Sequence, residues 1–270
     1  MAPGAETAMS EPRLSILLVG CGRMGGALVR GWAGAHDILV FDPHAAPITG
    51  ARKIERIGGA DIPPGTIVVL AVKPQMFDAV VPALAPLAAR GALIVSIMAG
   101  LTLARLGSAL GGTRRVVRAM PNTAAAIGRG ITALVADSGV DAGDRGDVDR
   151  LLAATGALVW LDDEGDLDAV TAVSGSGPAY FFRMTEALAA AGVGAGLAPD
   201  LAMTLARATF TGAAALADAR PEPLAELRAE VTSPGGTTAA GLAAMAEGGI
   251  DGLLDATVRA AAARSRALSA

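Results

Sequence analysis

The sequence is poor in the groups that most often carry catalysis or bind metal. Its 270 residues include one cysteine, Cys21, which rules out an internal disulfide and a thiolate metal cluster. Histidine occurs only at His36 and His44 and lysine only at Lys53 and Lys73, so the chain from Pro74 onward has neither. The one tyrosine, Tyr180, is followed four residues later by Met184 rather than a lysine. Aromatic residues make up 3% of the chain and charged residues 18%, against 52% apolar. That excludes a disordered chain and suits a tightly packed, alanine-rich globular protein. No uninterrupted apolar run approaches the ~20 residues needed to span a bilayer. Residues 1–12 have neither the basic start nor the apolar core of a signal peptide. The expectations are a disordered tail over 1–12, no membrane partner and a cytoplasmic location. A formal charge of −4 argues against a nucleic-acid partner. The acidic run Asp137, Asp141, Asp144, Asp147 and Asp149 lacks the spacing and terminal glutamate of a calcium loop. It reads as a solvated helix start, and no metal site is expected.

Glycine, by contrast, is plentiful, and three copies are spaced with purpose. An apolar run at 16–19 leads into Gly20, Cys21, Gly22, Arg23, Met24 and Gly25, and a helical pattern follows. In such a strand–turn–helix, the first glycine permits the tight turn. The second lets a pyrophosphate approach the backbone, and the third lets helix and strand pack closely. The helix start then offers free N–H groups and a positive dipole end to the phosphates. Asp42 closes the next apolar run, 38–41, where an acid reads a ribose hydroxyl. The alternative is a plain tight turn between strand and helix.

Strand-like runs recur at 67–71, 93–97, 115–119, 131–136 and 157–161, with helical patterns at 24–34, 76–90, 102–110 and 141–155. The early strands are continuous Val/Ile/Leu runs, as expected for a parallel sheet covered on both faces. This alternation predicts an α/β, Rossmann-type, mostly parallel sheet domain over 13–162. After it the strand-like runs stop. Helical patterns at 164–192, 199–219, 222–231, 237–247 and 250–268 predict an all-helical C-terminal dimerisation domain over 163–270. The 199–219 pattern is apolar or small nearly all round, which calls for burial on every side. A second subunit would supply that burial; an intrachain core is the alternative.

The absences also shape the chemistry. Carbonyl reduction needs a proton donor matched to the forming alkoxide. The usual histidine or lysine is missing after Pro74, and so is a lysine four residues past Tyr180. An imine nitrogen is basic enough to arrive protonated, so orientation and a few hydrogen bonds suffice for reducing C=N. Two segments of the helical half could build such a site. Val173-Ser-Gly-Ser-Gly-Pro-Ala-Tyr180 breaks a helical pattern with residues that disfavour helix; it is a site element or a kink between packed helices. Val231-Thr-Ser-Pro-Gly-Gly-Thr-Thr238 presents N–H groups and hydroxyls at a helix start; it is an anion site or an ordinary capping turn.

Over 15–267 the chain resembles the pyrroline-5-carboxylate reductase family. The resemblance rests on Gly20-Cys-Gly-Arg-Met-Gly25, Ala71-Val-Lys-Pro74, Arg118-Ala-Met-Pro-Asn-Thr123, Asp168-Ala-Val-Thr-Ala-Val-Ser-Gly-Ser-Gly-Pro-Ala-Tyr180 and Val231-Thr-Ser-Pro-Gly-Gly-Thr-Thr238. It implies hydride transfer from NADPH or NADH to the C=N carbon of 1-pyrroline-5-carboxylate, giving L-proline in the last step of proline biosynthesis. It implies that Ala71, Val72, Lys73 and Pro74, with Ala99 and Gly100, line the cofactor beside the nicotinamide, and Asn122 joins this set. It implies that Ser233, Gly235, Gly236, Thr237 and Thr238 hold the substrate, with Glu164 near the same pocket and Thr238 as the catalytic hydroxyl. Intertwined homodimers, gathered into rings, are implied as well.

The individual residues keep their plainer alternatives. Lys73 could be a solvated loop charge and Asn122 a turn former. Arg118 sits on a strand, where it can pair with an acid, and no role is given to it. The chain departs from many family members at Asp42, where a carboxylate accepts bonds from a free 2′-hydroxyl and repels a 2′-phosphate; this leans toward NADH. Two other functions remain open at this level: a reductase of a related cyclic imine or small keto acid, and a nucleotide-binding regulator without turnover.

Overall fold

The computed structural model describes residues 12–58 and 62–269, so the expectation for 1–12 lies almost wholly outside the described residues. Its contacts divide the chain into two bodies. One runs to Val170 and takes in the chain again from Ser265; the other is Thr171–Arg264.

The first body is built on one eight-stranded sheet. The strands are β1 (Ser15–Val19), β2 (Asp37–Phe41), β3 (Arg52–Lys53), β4 (Ile67–Leu70), β5 (Leu93–Ser96), β6 (Val116–Pro121), β7 (Gly130–Ala136) and β8 (Gly156–Trp160). They lie in the order β3-β2-β1-β4-β5-β6-β7-β8. Every neighbouring pair is parallel except β6 with β7. The seven strands expected from sequence are present with ends shifted by a residue or two. The two-residue β3 is additional, too short to leave a hydrophobic pattern. Helices α1 (Arg23–Trp32), α2 (Phe77–Ala89), α3 (Leu103–Ala109) and α4 (Ala142–Leu152) connect the strands. In α2, Pro82 and Pro86 stand inside the helix. The lost N–H groups are offset by burial of Phe77, Leu84, Leu87 and Ala88 on its inner face.

The continuous apolar runs follow from burial on both sides. Alternate β1 residues point to opposite faces: Leu17 and Val19 join one core cluster with Leu70, Leu84 and Leu106. Ile16 and Leu18 join the other with Leu28, Trp32 and Leu151. These four of the five β1 residues are 0% exposed. Each such side chain contributes about 1.5–3 kcal/mol by leaving water. Trp32 also satisfies its buried indole by donating from Nε1 to the Leu151 carbonyl at 2.5 Å, which ties α1 to α4.

In the rest of the chain the single helix expected over 164–192 is broken. A 3₁₀ turn at Glu164–Asp166 leads into α5 (Leu167–Val170), then a π-helical segment Thr171–Gly175, then α6 (Gly177–Gly194). The π turn closes with Ser176 N–H donating to Thr171 O at 2.9 Å. Gly175, Gly177 and Pro178 weaken the α-helical pattern, and Pro178 falls in the first turn of α6, where its missing N–H is harmless. Helices α7 (Pro199–Ala219), α8 (Leu224–Glu230), α9 (Thr237–Glu247) and α10 (Ile250–Ser269) complete the chain. The 199–219 and 237–247 helices have the expected bounds. No helix among the described residues is long and apolar enough to cross a membrane.

The acidic run at 137–149 does contain a helix start, but it is not the solvated one expected, because Asp144 is buried and paired and Asp137 is largely covered and bonded to Arg114. Asp141 caps α4 by accepting from Asp144 N–H at 2.8 Å, and the Asp144 side chain accepts from Asp141 N–H. Asp144, 3% exposed, also takes a fork from Arg115, whose Nε donates at 2.8 Å. The Arg115 hydrogen bond outweighs the cost of burial and holds the Asp144 carboxyl below its ordinary value of 3.8. A depressed carboxyl stabilises the fold fully above the unfolded-state value and loses that contribution as pH falls through the native one. We expect Asp144→Ala to cost about 2 kcal/mol in urea unfolding at neutral pH. The gap between variant and parent should close as the pH drops below about 4. A gap unchanged at low pH would show that the ion pair is not its source.

Candidate active site

The carboxyl ends of β1, β2, β4, β5 and β6 share one edge of the sheet, and β1 and β4 flank the point where strand order reverses. That crevice is where open α/β sheets bind ligands. The turn after β1 is shaped by missing side chains. Gly20 has φ +92°, and a Cβ there would lie 2.7 Å from Val72 N and 2.8 Å from Ala71 C. A Cβ on Gly25 would lie 2.6 Å from Gly20 O. A Cβ on Gly22 would meet nothing within 4 Å. The first and third glycines are therefore fixed by close packing, and the second faces open space. Gly22 caps α1 with no side-chain bond, so the first-turn amides stay available. Arg23 is exposed in that turn, and Met24 is half-buried.

Asp42 ties this turn to the end of β2. Its Oδ2 accepts from Cys21 N–H at 2.7 Å, and its Oδ1 accepts from His44 N–H at 2.8 Å and Ala45 N–H at 3.2 Å. Partial burial opposes ionisation, but these three N–H groups outweigh it and hold the Asp42 carboxyl below the ordinary range. Burial first, then the Asp42 charge, pushes the Cys21 thiol up. The thiol stays protonated near neutral pH, which leaves Cys21 a backbone role. Lys53 Nζ is directed to the carbonyls of Ala45, at 2.9 Å, and Pro43.

The loops after β4 and β5 lie along the same edge. Ala71 and Val72 pack against Gly20, as the glycine geometry demands, while Lys73 is exposed ahead of the turn that starts at Pro74. Ala99 precedes Gly100, where a Cβ would come within 2.9 Å of the Leu268 carbonyl in the last turn of α10. Asn122 follows β6, and its Oδ1 is buried with no hydrogen-bond donor, alone in this among the buried side-chain atoms described. An orphan acceptor in this crevice fits a ligand that brings an N–H or O–H of its own. Together with the open space at Gly22, it makes the residues present compatible with a dinucleotide.

Glu164 has a different neighbourhood. Its Oε1 accepts from Leu103 N–H at 2.7 Å and from Arg118 Nη1 at 2.5 Å. Arg118, 12% exposed on its strand, has found its acid. A nearly buried arginine requires such a partner, so the pair's existence was readable from the strand pattern, though not the partner. Asp168 accepts from Ser265 Oγ at 2.5 Å, a contact no local pattern signals.

The helical body presents the other expected loop. Gly236 N–H donates to Ser233 O at 3.0 Å, closing a turn over Ser233, Pro234, Gly235 and Gly236. Gly235 has φ +69°. Proline second and a left-handed glycine third define a type II turn. The turn delivers the chain into α9, whose N-cap Gly236 makes no side-chain bond. Its uncapped first-turn amides, with the exposed Thr237 and Thr238 at the same helix start, are donors of the kind a carboxylate accepts from.

Comparison with known proteins agrees in both halves. The family described as "Pyrroline-5-carboxylate reductase dimerisation" matches 164–268, and that described as "NADP oxidoreductase coenzyme F420-dependent" matches 15–100. A pyrroline-5-carboxylate reductase of Pseudomonas aeruginosa is 41% identical over 97% of this chain and 98% of its own. One from Mycobacterium tuberculosis is 38% identical over 94% and 96%. Among solved structures, one from Coxiella burnetii is 30% identical with TM-score 0.89, covering 96% of this chain and 100% of its own. One from Plasmodium falciparum, with NADP bound, is 29% identical with TM-score 0.80 over the same shares.

The glycine turn separates two kinds of damage. Gly22→Val should leave the melting temperature near the parent's and weaken NADH binding, read by fluorescence titration, about tenfold or more, since it fills only ligand space. Gly25→Ala should destabilise the protein itself, by about 1–3 kcal/mol. Parental binding in Gly22→Val would remove the crevice from consideration.

Proposed function

We infer that this chain, which belongs to the pyrroline-5-carboxylate reductase family, reduces 1-pyrroline-5-carboxylate to L-proline with a nicotinamide cofactor as hydride donor. It is an NAD(P)-dependent oxidoreductase acting at the last step of proline biosynthesis. The supporting observation is the type II turn at 233–236 leading into an uncapped helix start, in a chain without a conventional carbonyl-reducing acid in that half.

Bound NADH or NADPH supplies the hydride to the C=N carbon. The turn from Gly20 to Gly25 receives its pyrophosphate: Gly22 gives room, the α1 amides donate, and Arg23 adds charge. Ala71, Val72, Lys73 and Pro74 line it together with Ala99 and Gly100, and Asn122 Oδ1 accepts a hydrogen bond from it. Ser233, Gly235, Gly236 and Thr237 hold the substrate carboxylate. Glu164 offers its remaining oxygen, Oε2, to the substrate. Thr238 bonds the ring nitrogen and follows it from planar iminium to tetrahedral amine. No separate acid is needed, because the iminium already carries its proton. In this reading a dinucleotide-binding domain covers 13–162 and a substrate and dimerisation domain covers 163–270, in the cytoplasm, which the lone unpaired Cys21 suits.

The assembly is a homodimer with intertwined helical domains, joined into a ring of dimers. Its support is the surface of α7. Only Ala202 and Ala206 are buried on it, while Leu201, Met203, Leu205 and Leu216 are each 42–48% exposed in the single chain. Phe181 and Phe182 of α6, both more than half exposed, gather around Phe210. Such a continuous apolar face calls for a partner. Light scattering at micromolar concentration should give at least twice the chain mass; a stable monomer would refute the assembly.

Asp42 leans the cofactor choice toward NADH, because its Oδ2, with one bond from Cys21 N–H, can accept a second from a ribose hydroxyl and its charge opposes a phosphate. Cofactor oxidation with 1-pyrroline-5-carboxylate should show kcat/KM higher for NADH, by about ten- to hundredfold (1–3 kcal/mol). In the same assay Thr238→Val, which keeps the shape and loses the hydroxyl, should lower kcat/KM about thirtyfold or more, with cofactor affinity unchanged. Thr238→Ser should retain most activity. No turnover of this substrate by the parent would overturn the function. Full activity in Thr238→Val would leave that hydroxyl a helix cap.

A further inference from the structure

Arg220 follows the last residue of α7, and Glu230 is the last residue of α8. Arg220 Nη1 donates to Glu230 Oε2 at 2.6 Å and Nη2 donates to Oε1 at 2.8 Å. The same guanidinium reaches Glu222, Nε to Oε2 at 3.2 Å and Nη2 to Oε1 at 2.9 Å. Two carboxylates thus share one planar fork, an arrangement that an ammonium cannot copy. Most exposed ion pairs contribute little; bidentate networks of several charges are the exceptions.

The setting makes this network decisive. Helix α8 has seven residues and no side chain fully buried in the single chain, so packing within the chain holds it weakly. A helix of that length is marginal by itself. Glu230 is followed at once by Val231, Thr232 and the turn that begins at Ser233. Thr232 is tied back to α8, its N–H donating to Ala229 O at 3.0 Å and its Oγ1 to Arg228 O at 2.6 Å. The turn is closed from Ser233 to Gly236, and α9 begins at Thr237. Wherever the end of α8 goes, the turn goes with it.

We propose that Arg220 is a positioning residue for the 233–238 loop: by clamping Glu230 to the end of α7, it sets where that loop presents its amides and hydroxyls to the substrate carboxylate. This rests on reading 233–238 as the substrate loop. Pro221 and Pro223 restrict the connection between the clamped ends, so the fork closes a short, stiff segment. Arg220 also holds the Glu230 and Glu222 carboxyls below the ordinary range, so the network remains ionised at assay pH.

The test is steady-state kinetics of Arg220→Met, Arg220→Lys, Glu230→Gln and Glu222→Gln, with Thr238→Val alongside. Arg220→Met and Glu230→Gln should raise KM for 1-pyrroline-5-carboxylate about three- to tenfold, with kcat and the cofactor KM within about twofold of parent. Arg220→Lys, which keeps the charge without the fork, should fall between. Glu222→Gln, which leaves the Glu230 fork whole, should stay close to parent. Parental KM in Arg220→Met beside an impaired Thr238→Val would overturn the clamp and spare the loop. A lowered melting temperature with kcat and both KM values affected alike would reduce Arg220 to a structural role and also overturn it. Parental kinetics in Thr238→Val and Arg220→Met together would remove the loop reading and the proposal with it.

Discussion

Nothing larger than hydrogen fits on Gly20 between the end of β1 and the backbone of Ala71 and Val72. That exclusion lets β1 and β4 lie side by side while the chain turns sharply away into α1. The ladder carries on past the strand ends: Gly20 N–H donates to Phe41 O and Ala71 N–H donates to Val19 O. The crevice opens there because both neighbours diverge from this one crowded point. Gly25, packed against the Gly20 carbonyl, holds α1 to the same spot. The turn's shape, the availability of the α1 amides and the register of the loop after β4 all descend from that contact.

Much of this was legible because burial leaves a mark on sequence. A strand covered on both faces must be apolar at every position, so β1, β4 and β5 could be read as unbroken Val/Ile/Leu runs. α7 and α9 were readable to the residue because proline opens the first and a glycine turn precedes the second. β3 was not legible, since two residues carry no periodicity. The stretch 164–192 read as one helix because the backbone switches among 3₁₀, α and π geometry without changing composition much. Its glycines signalled an interruption, but not that it would be a π turn.

The least legible features join distant residues. Glu164 was expected near the substrate on resemblance alone; its bonds to Leu103 and Arg118 connect positions 61 and 46 residues away. Asp168 meets Ser265 across 97 residues, and the last turn of α10 crowds Gly100. No window along the chain contains both partners of such contacts. The helical half poses the converse case: the 199–219 pattern called for burial on every side, and the single chain leaves Leu201, Met203, Leu205 and Leu216 exposed.

Asp42 carries a consequence for how this enzyme could diverge. Its carboxylate is a structural crosslink as well as a charge, holding the amides of Cys21, His44 and Ala45 at once. On the proposed cofactor reading, a lineage drifting toward the phosphorylated cofactor could not discard that charge in one step without also loosening the turn proposed to hold the pyrophosphate. The path open to it runs through an asparagine or serine, which keeps some of the acceptors, before any new cation arrives nearby. On that reading coenzyme choice and loop integrity are inherited together, and selection on one drags the other with it.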